Sequence, residues 1–309
     1  MASKLKMEKR GIMQGVKPYY QTELGKAFLG DTLELIKNIP DNSVDLIVTS
    51  PPYGLQDKKE YGNADADVYI KWFMPFANEF HRILKPEGSF VLNIGGSWEK
   101  GRATRSLYHF ELLIELCKKF YLAEEFVWAK PATLPSPAMW VTVKRIRVKD
   151  AVEYVWWLSK TPDPKANNRN VLQPYSDAMK SLLKNGYKAK LRPSGHNVSN
   201  KFMKNNEGSI PPNFFTFGSQ ESNSHYIQKC KEYNVKIHPA RYPSRLPEFF
   251  IKFLTDKGDV VLDPFAGSNV TGEAAEINGR KWLAFELMEE YLKGSKFRFD
   301  LKQKKLNSL

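Results

Sequence analysis

Residues 44–54, with the sequence VDLIVTSPPYG, decide how the rest of the chain is interpreted. Residues 44–49 are apolar and β-rich and do not alternate in polarity beyond Asp45, which is typical of a strand buried on both faces. Ser50-Pro51-Pro52-Tyr53 follows directly. Consecutive prolines disfavour both helix and ladder pairing, so the chain is expected to leave the strand in an extended, rigid conformation.

The segment from Ser50 to Tyr53 suits a ligand that donates hydrogen bonds. Because proline has no N–H, Pro51 and Pro52 leave only carbonyl acceptors on the backbone, to which the Ser50 hydroxyl adds another. Tyr53 adds a flat face for stacking. An exocyclic amino group of a nucleobase needs this combination, since acceptors that engage both N–H bonds favour the nucleophilic form of its nitrogen. The alternative is a proline-rich turn that only ends a strand.

A second segment near the carboxyl end has the pattern of a ligand-binding loop. Residues 260–272, VVLDPFAGSNVTG, predict a buried strand, a loop of small residues and then a helix. Such a loop turns backbone N–H groups and a helix N-terminus toward a ligand. The next predicted strand, 281–285, ends at Glu286, whose carboxylate could bind the hydroxyls of a ribose. The alternative is a βαβ corner in which small residues only permit close packing.

Strands alternate with helices along most of the chain, which predicts an α/β fold with a mostly parallel, Rossmann-like sheet. Residues 1–160 and 237–309 are expected to form this domain in two halves. Residues 161–236 have little periodicity apart from a short stretch near 176–184, and they predict an irregular inserted module. The remaining predicted elements are strands at 26–31, 89–94, 122–128 and 153–159, and helices at 32–39, 67–85, 107–120, 244–255 and 271–278.

Composition and charge exclude several classes of protein. The chain has 309 residues, 42% of them hydrophobic and 26% charged, as in an ordinary globular protein. No apolar run is long enough to cross a bilayer. The cysteines, Cys117 and Cys230, number only two, which excludes a disulfide scaffold, and the histidines show no metal-binding spacing, so we expect no metal. The net charge of +13 favours a polyanionic partner.

The motifs together resemble a known family of enzymes. Residues 49–53, TSPPY, combined with residues 263–268, DPFAGS, are similar to the amino-group DNA methyltransferases of the beta class, in which the catalytic motif precedes the cofactor motif. Residues 55–63, 134–137, 192–196 and 238–243 extend the likeness to the N4-cytosine methyltransferases of restriction–modification systems. The resemblance implies S-adenosylmethionine (SAM) as cofactor and double-stranded DNA as substrate.

The resemblance also implies roles for individual residues. Ser50, Pro51, Pro52 and Tyr53 would receive a flipped-out base. Glu286 would bind the ribose of the cofactor and Asp31 its adenine amino group. Segment 238–249, which begins at His238, would close over the methionine end. The cofactor loop would comprise Asp263, Phe265, Gly267, Ser268, Asn269 and Thr271.

The chain departs from the family pattern at two positions. Asn269 stands where the common loop has a second glycine, so the turn is expected to be tighter or to contact the ligand through the asparagine side chain. Asn93, at the end of strand 89–94, stands where some relatives have an acidic residue. A proton relay from Ser50 to a carboxylate is therefore not expected.

Basic clusters are candidate DNA contacts. Residues 161–240 carry 12 Lys and Arg against 5 Asp and Glu, a local charge of +7. Such clusters neutralise phosphates regardless of base sequence, although a solvated surface is the alternative. The candidates are Lys58 and Lys59 after the catalytic strand, Lys144, Arg145 and Arg147 beside Trp140, and Lys188, Lys190 and Arg192.

The resemblance implies transfer of a methyl group to N4 of a cytosine flipped from duplex DNA. It suggests a short palindrome such as CAGCTG as target, and a role as the modification part of a restriction–modification system. The protein is expected to be cytoplasmic, nucleoid-associated through DNA, and a monomer or weak homodimer. The alternatives are an N6-adenine methyltransferase of the same fold and a non-catalytic nucleic-acid-binding protein.

Overall fold

The computed structural model describes residues 12–54, 64–186, 204–218 and 223–300. The predicted DNA contacts Lys58, Lys59, Lys188, Lys190 and Arg192 lie outside these ranges. The chain forms a larger compact unit, Met1–Ala166 with Asn213–Leu309, and a smaller one, Asn167–Pro212.

A central sheet organises the larger unit. The described strands are β1 (Tyr20–Gln21), β2 (Gly25–Leu29), β3 (Val44–Thr49), β4 (Leu84–Ile94), β5 (Ser97–Trp98), β6 (Arg105–Ser106), β7 (Tyr121–Ala129), β8 (Val152–Ser159), β9 (Phe214–Thr216), β10 (Val260–Asp263) and β11 (Lys281–Glu286). Nine of these strands form the central sheet in the order β1-β2-β11-β10-β3-β4-β8-β7-β9, and β5 and β6 form a separate ribbon. The predicted α/β fold class is confirmed.

Strand direction brings the two sequence motifs together. From β2 through β11, β10 and β3 to β4, all neighbours pair in parallel. The carboxyl ends of these strands therefore share one edge of the sheet, which is where open α/β sheets bind ligands. β8 pairs antiparallel with β4, so its amino end reaches the same edge.

Helices cover both faces of the sheet. The described helices of the larger unit are α1 (Thr32–Leu35), α2 (Tyr69–Ile83), α3 (Tyr108–Leu116), α5 (His225–Glu232), α6 (Arg245–Leu254), α7 (Val270–Ile277) and α8 (Glu289–Ser295), whereas α4 (Asp177–Asn185) belongs to the smaller unit. Helix α2 buries Tyr69, Phe73, Phe80 and Ile83 along one stripe at helical spacing. Burial of each such side chain contributes about 1.5–3 kcal/mol. Helix α6 buries Leu246 and Phe250 in the cluster on the other face.

The structure differs from the predicted elements mainly between residues 161 and 236. Phe214–Thr216 forms strand β9 and His225–Glu232 forms α5, although neither was predicted. β9 forms because it pairs with β7 and stacks Phe215 on Phe126, with ring centroids 5.5 Å apart. Such long-range contacts leave no periodicity in a three-residue strand. Predicted helices 32–39, 67–85 and 107–120 are each shorter than expected, and residues 36–38 form a 3₁₀ turn.

The smaller unit, Asn167–Pro212, contains α4 and an isolated bridge between Gln173 and Ser209. The Ser176 side chain caps α4 by accepting from the Met179 N–H. Residues 213–236, which were predicted to belong to the inserted module, are part of the larger unit. The role of the module in target recognition stays a prediction. Within the described residues, no helix is long and apolar enough to span a membrane.

Candidate active site

A cavity of about 900 Å³ lies at the shared edge of the parallel strands and contains residues from both motifs. Its size is within the range of small-molecule and cofactor sites. The predicted site residues that line it are Asp31, Ser50, Pro51, Pro52, Tyr53, His238, Phe265, Gly267, Ser268 and Glu286. The fold thus brings together residues more than 200 positions apart in the sequence.

Hydrogen bonds fix the segment that follows β3. The Pro52 carbonyl accepts from the Tyr69 hydroxyl of α2 at 2.8 Å. The Ser50 hydroxyl donates to the Tyr53 hydroxyl at 3.1 Å. A Cβ on Gly95 would lie 2.8 Å from the Tyr53 ring, so the ring packs closely against this glycine. These contacts give the segment a defined conformation, as its prolines predicted.

Asp263 ties the two motifs to each other. It is 2% exposed, and its carboxylate accepts from the Thr49 hydroxyl at 2.7 Å and from the Thr271 hydroxyl at 2.6 Å. The Phe265 N–H and the Tyr242 hydroxyl also donate to it. Burial raises its pKa although these hydrogen bonds lower it. Asp263 and Thr271, predicted as cofactor contacts, are absent from the described cavity lining and instead brace the loop from behind.

Asn269 resolves the first departure from the family pattern. Its backbone is left-handed, with φ 57°, a conformation that asparagine tolerates better than most residues. Its side chain accepts from the Gly272 N–H at 3.1 Å and donates to the Tyr20 hydroxyl at 2.9 Å, so it caps α7. It is fully buried and does not line the described cavity. Of the two expectations for Asn269, a tighter turn or a ligand contact, the structure shows a left-handed turn with a capping side chain, and the contact with the cofactor stays a prediction.

Gly267 gives a direct test of the loop. Its φ of 52° is left-handed, and a Cβ would meet the His238 ring at 3.0 Å. Gly267→Ala is expected to weaken cofactor binding because the loop must shift to relieve both strain and contact. Gly101→Ala is the matched control, since Gly101 has φ 71° but open space around it. Both variants incur the left-handed penalty of about 1–2 kcal/mol, measured by thermal unfolding. Equal cofactor affinities in calorimetry would contradict a close fit at Gly267.

Glu286 and Asp31 present carboxylate oxygens to the cavity. Glu286 accepts from the Gly267 N–H and the Met288 N–H, each at 2.8 Å, through different oxygens. Each oxygen retains a lone pair for a ligand hydroxyl. Burial raises the pKa of Glu286, although the two backbone donors oppose that shift. Asp31 caps α1 by accepting from the Leu33 N–H at 2.8 Å through one oxygen.

His238 is held neutral at the rim of the loop. Burial lowers its pKa to about 4, and the charges of Arg241 and Arg298 act in the same direction. Its ring packs edge-on against Tyr291, with centroids 4.4 Å apart. A neutral imidazole adds no positive charge to the cavity at neutral pH.

Several residues that line the cavity were not predicted. Trp72 and Phe76 of α2 surround Phe265, with ring centroids at 6.0 and 5.0 Å. Their helical spacing is indistinguishable from that of core residues, so the sequence carried no specific signal. Thr32 and Tyr242 reach the site through hydrogen bonds to the loop. Glu153 and Lys130 form an ion pair, and Glu153 lines the same cavity.

The predicted DNA contacts near Trp140 differ in accessibility. Lys144 is exposed and places its ammonium 4.6 Å from the centre of the Trp140 ring, and Arg145 is exposed with φ 54°. Arg147 is half-buried, donates to the Ala103 carbonyl and lies 4.3 Å from the centre of the Trp98 ring. Arg147 thus connects its own segment to the segment that contains Trp98 and Ala103.

Comparison with known proteins gives a family match that includes both motifs of the site. The family model described as DNA methylase matches residues 44–297, from the first residue of β3 to beyond β11. The chain belongs to the DNA methylase family. The match confirms the resemblance drawn from the motifs, because the matched range contains both motifs and the strands that join them.

Individual members of the DNA methylase family are similar over nearly the whole chain. The Type II methyltransferase M.PvuII of Proteus hauseri is 50% identical over 290 residues, which cover 92% of this chain and 86% of the relative. The solved structure of the PvuII DNA methyltransferase (cytosine-N4-specific) has a TM-score of 0.75 and 44% identity, covering 92% of this chain and 89% of that one. The M1.HpyAVI–SAM complex, at 19% identity and a TM-score of 0.52, covers 89% of this chain and 99% of that one and supports the fold alone.

Proposed function

We propose that this DNA methylase transfers the methyl group of SAM to N4 of a cytosine in duplex DNA. The observation that carries the proposal is that one cavity is lined both by Ser50, which follows β3, and by Glu286, at the end of β11 two strands away in the sheet. A base acceptor and a ribose acceptor in one enclosure match the two substrates of such a reaction. The 50% identity to M.PvuII supports cytosine N4 as the acceptor atom and the modification part of a restriction–modification system as the role.

The residues at the Glu286 side of the cavity fit SAM. Glu286 has lone pairs for two ribose hydroxyls, and Phe265 with Trp72 offers an aromatic surface for the adenine. Gly267 leaves room where a side chain would meet His238. Asp31 would hold the adenine amino group. When bound, SAM supplies the electrophilic methyl group.

The residues at the Ser50 side position the base. Base flipping places the cytosine in a pocket where its amino group can be read by hydrogen bonds. Ser50 donates its own proton to Tyr53, so the lone pairs of its oxygen remain available to an N4–H. Pro51 has no N–H and cannot compete as a donor. Orientation and acceptors matched to the developing charge on N4 would then lower the barrier.

Methyl incorporation into short duplexes tests the proposal. Incubation with radiolabelled SAM is expected to label a duplex containing CAGCTG and to leave a duplex with those bases permuted at background. Label in both duplexes would contradict the proposed target, and label in neither would contradict DNA methylation at this site. Heat-inactivated protein serves as the control for non-enzymatic transfer.

Charge reversal tests the predicted contacts to DNA. Lys188→Glu combined with Lys190→Glu is expected to weaken binding to target and permuted duplexes alike, because phosphates are common to both. The slope of log affinity against log salt should fall by up to about 1.8, or 0.9 for each lost phosphate contact. Lys257→Glu with Lys281→Glu is the matched control. Both lysines are exposed at the opposite sheet edge, because Lys257 precedes β10 and Lys281 is the first residue of β11.

If Lys188→Glu combined with Lys190→Glu leaves the DNA-binding isotherms of both duplexes unchanged, these lysines belong to a solvated surface. A loss confined to the target duplex would indicate base-edge contacts, which discriminate by about 1–3 kcal/mol each. We further propose that the protein acts in the cytoplasm, as a monomer or weak homodimer. Sedimentation equilibrium over a range of concentrations, with and without duplex, measures that state.

A further inference from the structure

Glu153 of the antiparallel strand β8 places a carboxylate at the sheet edge where the cavity lies. β8 runs antiparallel to β4, with Asn93 opposite Val155 and Ile94 opposite Tyr154. Glu153, near the amino end of β8, therefore reaches the sheet edge at which β3 and β4 end. Its side chain is only 15% exposed, and it lines the cavity together with Ser50, Tyr53 and Asn93.

A continuous chain of hydrogen bonds joins this carboxylate to Ser50. The Ser50 hydroxyl donates to the Tyr53 oxygen at 3.1 Å, and the Tyr53 hydroxyl donates to Glu153 Oε2 at 3.0 Å. Asn93 Nδ2 donates to the same Oε2 at 3.1 Å, and Lys130 pairs with Oε1. The Tyr53 hydroxyl also lies 3.3 Å from Asn93 Oδ1, but its shorter contact is to Glu153. Because Ser50 donates toward Tyr53, the lone pairs of the Ser50 oxygen are directed elsewhere.

We propose that Glu153 accepts, through Tyr53 and Ser50, the proton that the amino nitrogen loses on methylation. This inference rests on the proposed function. It replaces the earlier expectation that, with Asn93 in place of an acid, Ser50 has no route to a carboxylate. Glu153 would act on the base through Tyr53 and Ser50, as the final acceptor of that proton.

The proton balance follows from the direction of the hydrogen bonds. N4 gains the methyl group and a positive charge as the electron pair of the methyl–sulfur bond returns to sulfur. One N4 proton passes to Ser50 Oγ, the Ser50 proton to the Tyr53 oxygen and the Tyr53 proton to Glu153 Oε2. Ser50 and Tyr53 are thereby restored as neutral hydroxyls, and Glu153, now a carboxylic acid, later releases its proton to solvent.

The surroundings of Tyr53 and Glu153 suit this transfer. Burial raises the pKa of Tyr53 well above its usual value of 10, and the charge of Glu153 adds to that shift, so Tyr53 stays a proton donor in the resting enzyme. Lys130, directly after β7, provides the positive charge that faces Glu153, while Tyr108 on α3 donates to the Gly95 carbonyl. Asn93 donates to Glu153 and also to the Tyr154 carbonyl at 3.2 Å, contacts that a second carboxylate at position 93 would replace with repulsion.

Glu153→Gln separates a relay from a structural role. Glutamine retains the size of the side chain and can still accept from Tyr53, but it cannot take up a proton. The single-turnover rate on a cytosine-containing duplex is expected to fall about 100-fold, at the lower end of general-base effects, with SAM affinity unchanged. The decline of the wild-type rate at acid pH is expected to disappear in this variant. Glu124→Gln, an exposed glutamate on neighbouring β7, is the matched control.

Rescue makes the test specific. Adding Asn93→Asp to Glu153→Gln returns one carboxylate to within reach of the Tyr53 hydroxyl, which lies 3.3 Å from Asn93 Oδ1. The double variant is expected to regain at least tenfold in rate and to recover the acid decline. Thermal unfolding shows whether the rescue variant folds; if it does not, Tyr53→Phe, which breaks the chain of hydrogen bonds at its middle, is combined with Glu153→Gln instead. If the loss of rate in the combined variant is smaller than the product of the two single losses, the relay is supported; if the losses of the two single variants multiply in full, the relay is overturned.

The outcomes separate this inference from the proposed function. N4-methylcytosine made by the wild type, together with a Glu153→Gln variant of wild-type rate and pH profile, would overturn the relay alone. A slow Glu153→Gln variant that keeps the acid decline and is not rescued by Asp at position 93 would also overturn it, in favour of a structural role. Absence of N4-methylcytosine from the wild-type product would overturn the proposed function instead.

Discussion

Ser50→Ala is expected to lower the single-turnover rate of methyl transfer by about 10²–10³-fold, comparable to removal of one group that stabilises transition-state charge. The serine oxygen is the cavity-lining acceptor at the start of the chain to Tyr53 and Glu153. Its loss leaves an amino proton without a partner as positive charge develops on N4. SAM affinity is expected to stay nearly unchanged, because the cofactor loop follows β10 and not β3.

Ser43→Ala is the matched control for this experiment. Ser43 donates its hydroxyl to the Pro40 carbonyl at 2.6 Å, but it precedes β3 and so lies at the opposite edge of the sheet. Rapid-quench measurements with enzyme in excess over duplex isolate the chemical step from product release. A Ser50→Ala variant with most of the wild-type single-turnover rate would remove Ser50 from the mechanism.

Glu286→Ala is expected to weaken SAM binding by about 1.5–3 kcal/mol, the scale of hydrogen bonds to a charged group. This corresponds to a Kd roughly 10- to 150-fold higher. The loss has two sources: the ribose acceptor disappears, and the Gly267 and Met288 N–H groups lose the carboxylate that holds the loop. Isothermal titration calorimetry measures the change directly.

Glu289→Ala is the control for Glu286→Ala. Glu289 lies three residues further along the chain and accepts from the Tyr19 hydroxyl at 3.0 Å in an exposed position. Its replacement is expected to leave SAM affinity unchanged, since it does not line the described cavity. Equal affinities for the wild type and Glu286→Ala would mean that the ribose is held by other groups.

The central part of the fold could be predicted because its signals are local. β3 and β10 are short apolar runs without alternation, and burial on both faces of a parallel sheet requires that pattern. The prolines after β3 and the small residues after β10 then mark the ends of those strands. Since parallel strands share an edge, the juxtaposition of Ser50 and Phe265 followed from topology without any knowledge of side-chain contacts.

The features that were missed depend on contacts between distant residues. Glu153 lies at the site only because β8 is antiparallel to β4. The direction of a strand within a sheet cannot be predicted from an isolated apolar run such as VEYVWWLS at residues 152–159. Asn269 was expected to tighten the turn or to contact a ligand, and the capping role of its side chain depends on its left-handed backbone and on the Tyr20 hydroxyl. In each case a partner more than 50 residues away determines where the polar group points.

The identity of the modified nucleoside tests the central claim most directly. Duplex DNA containing CAGCTG is incubated with the protein and SAM, digested to nucleosides and analysed by mass spectrometry against standards. The account predicts N4-methylcytosine, absent when SAM is omitted. N6-methyladenine as the product, or no methylated nucleoside from protein that binds both SAM and DNA, would contradict it.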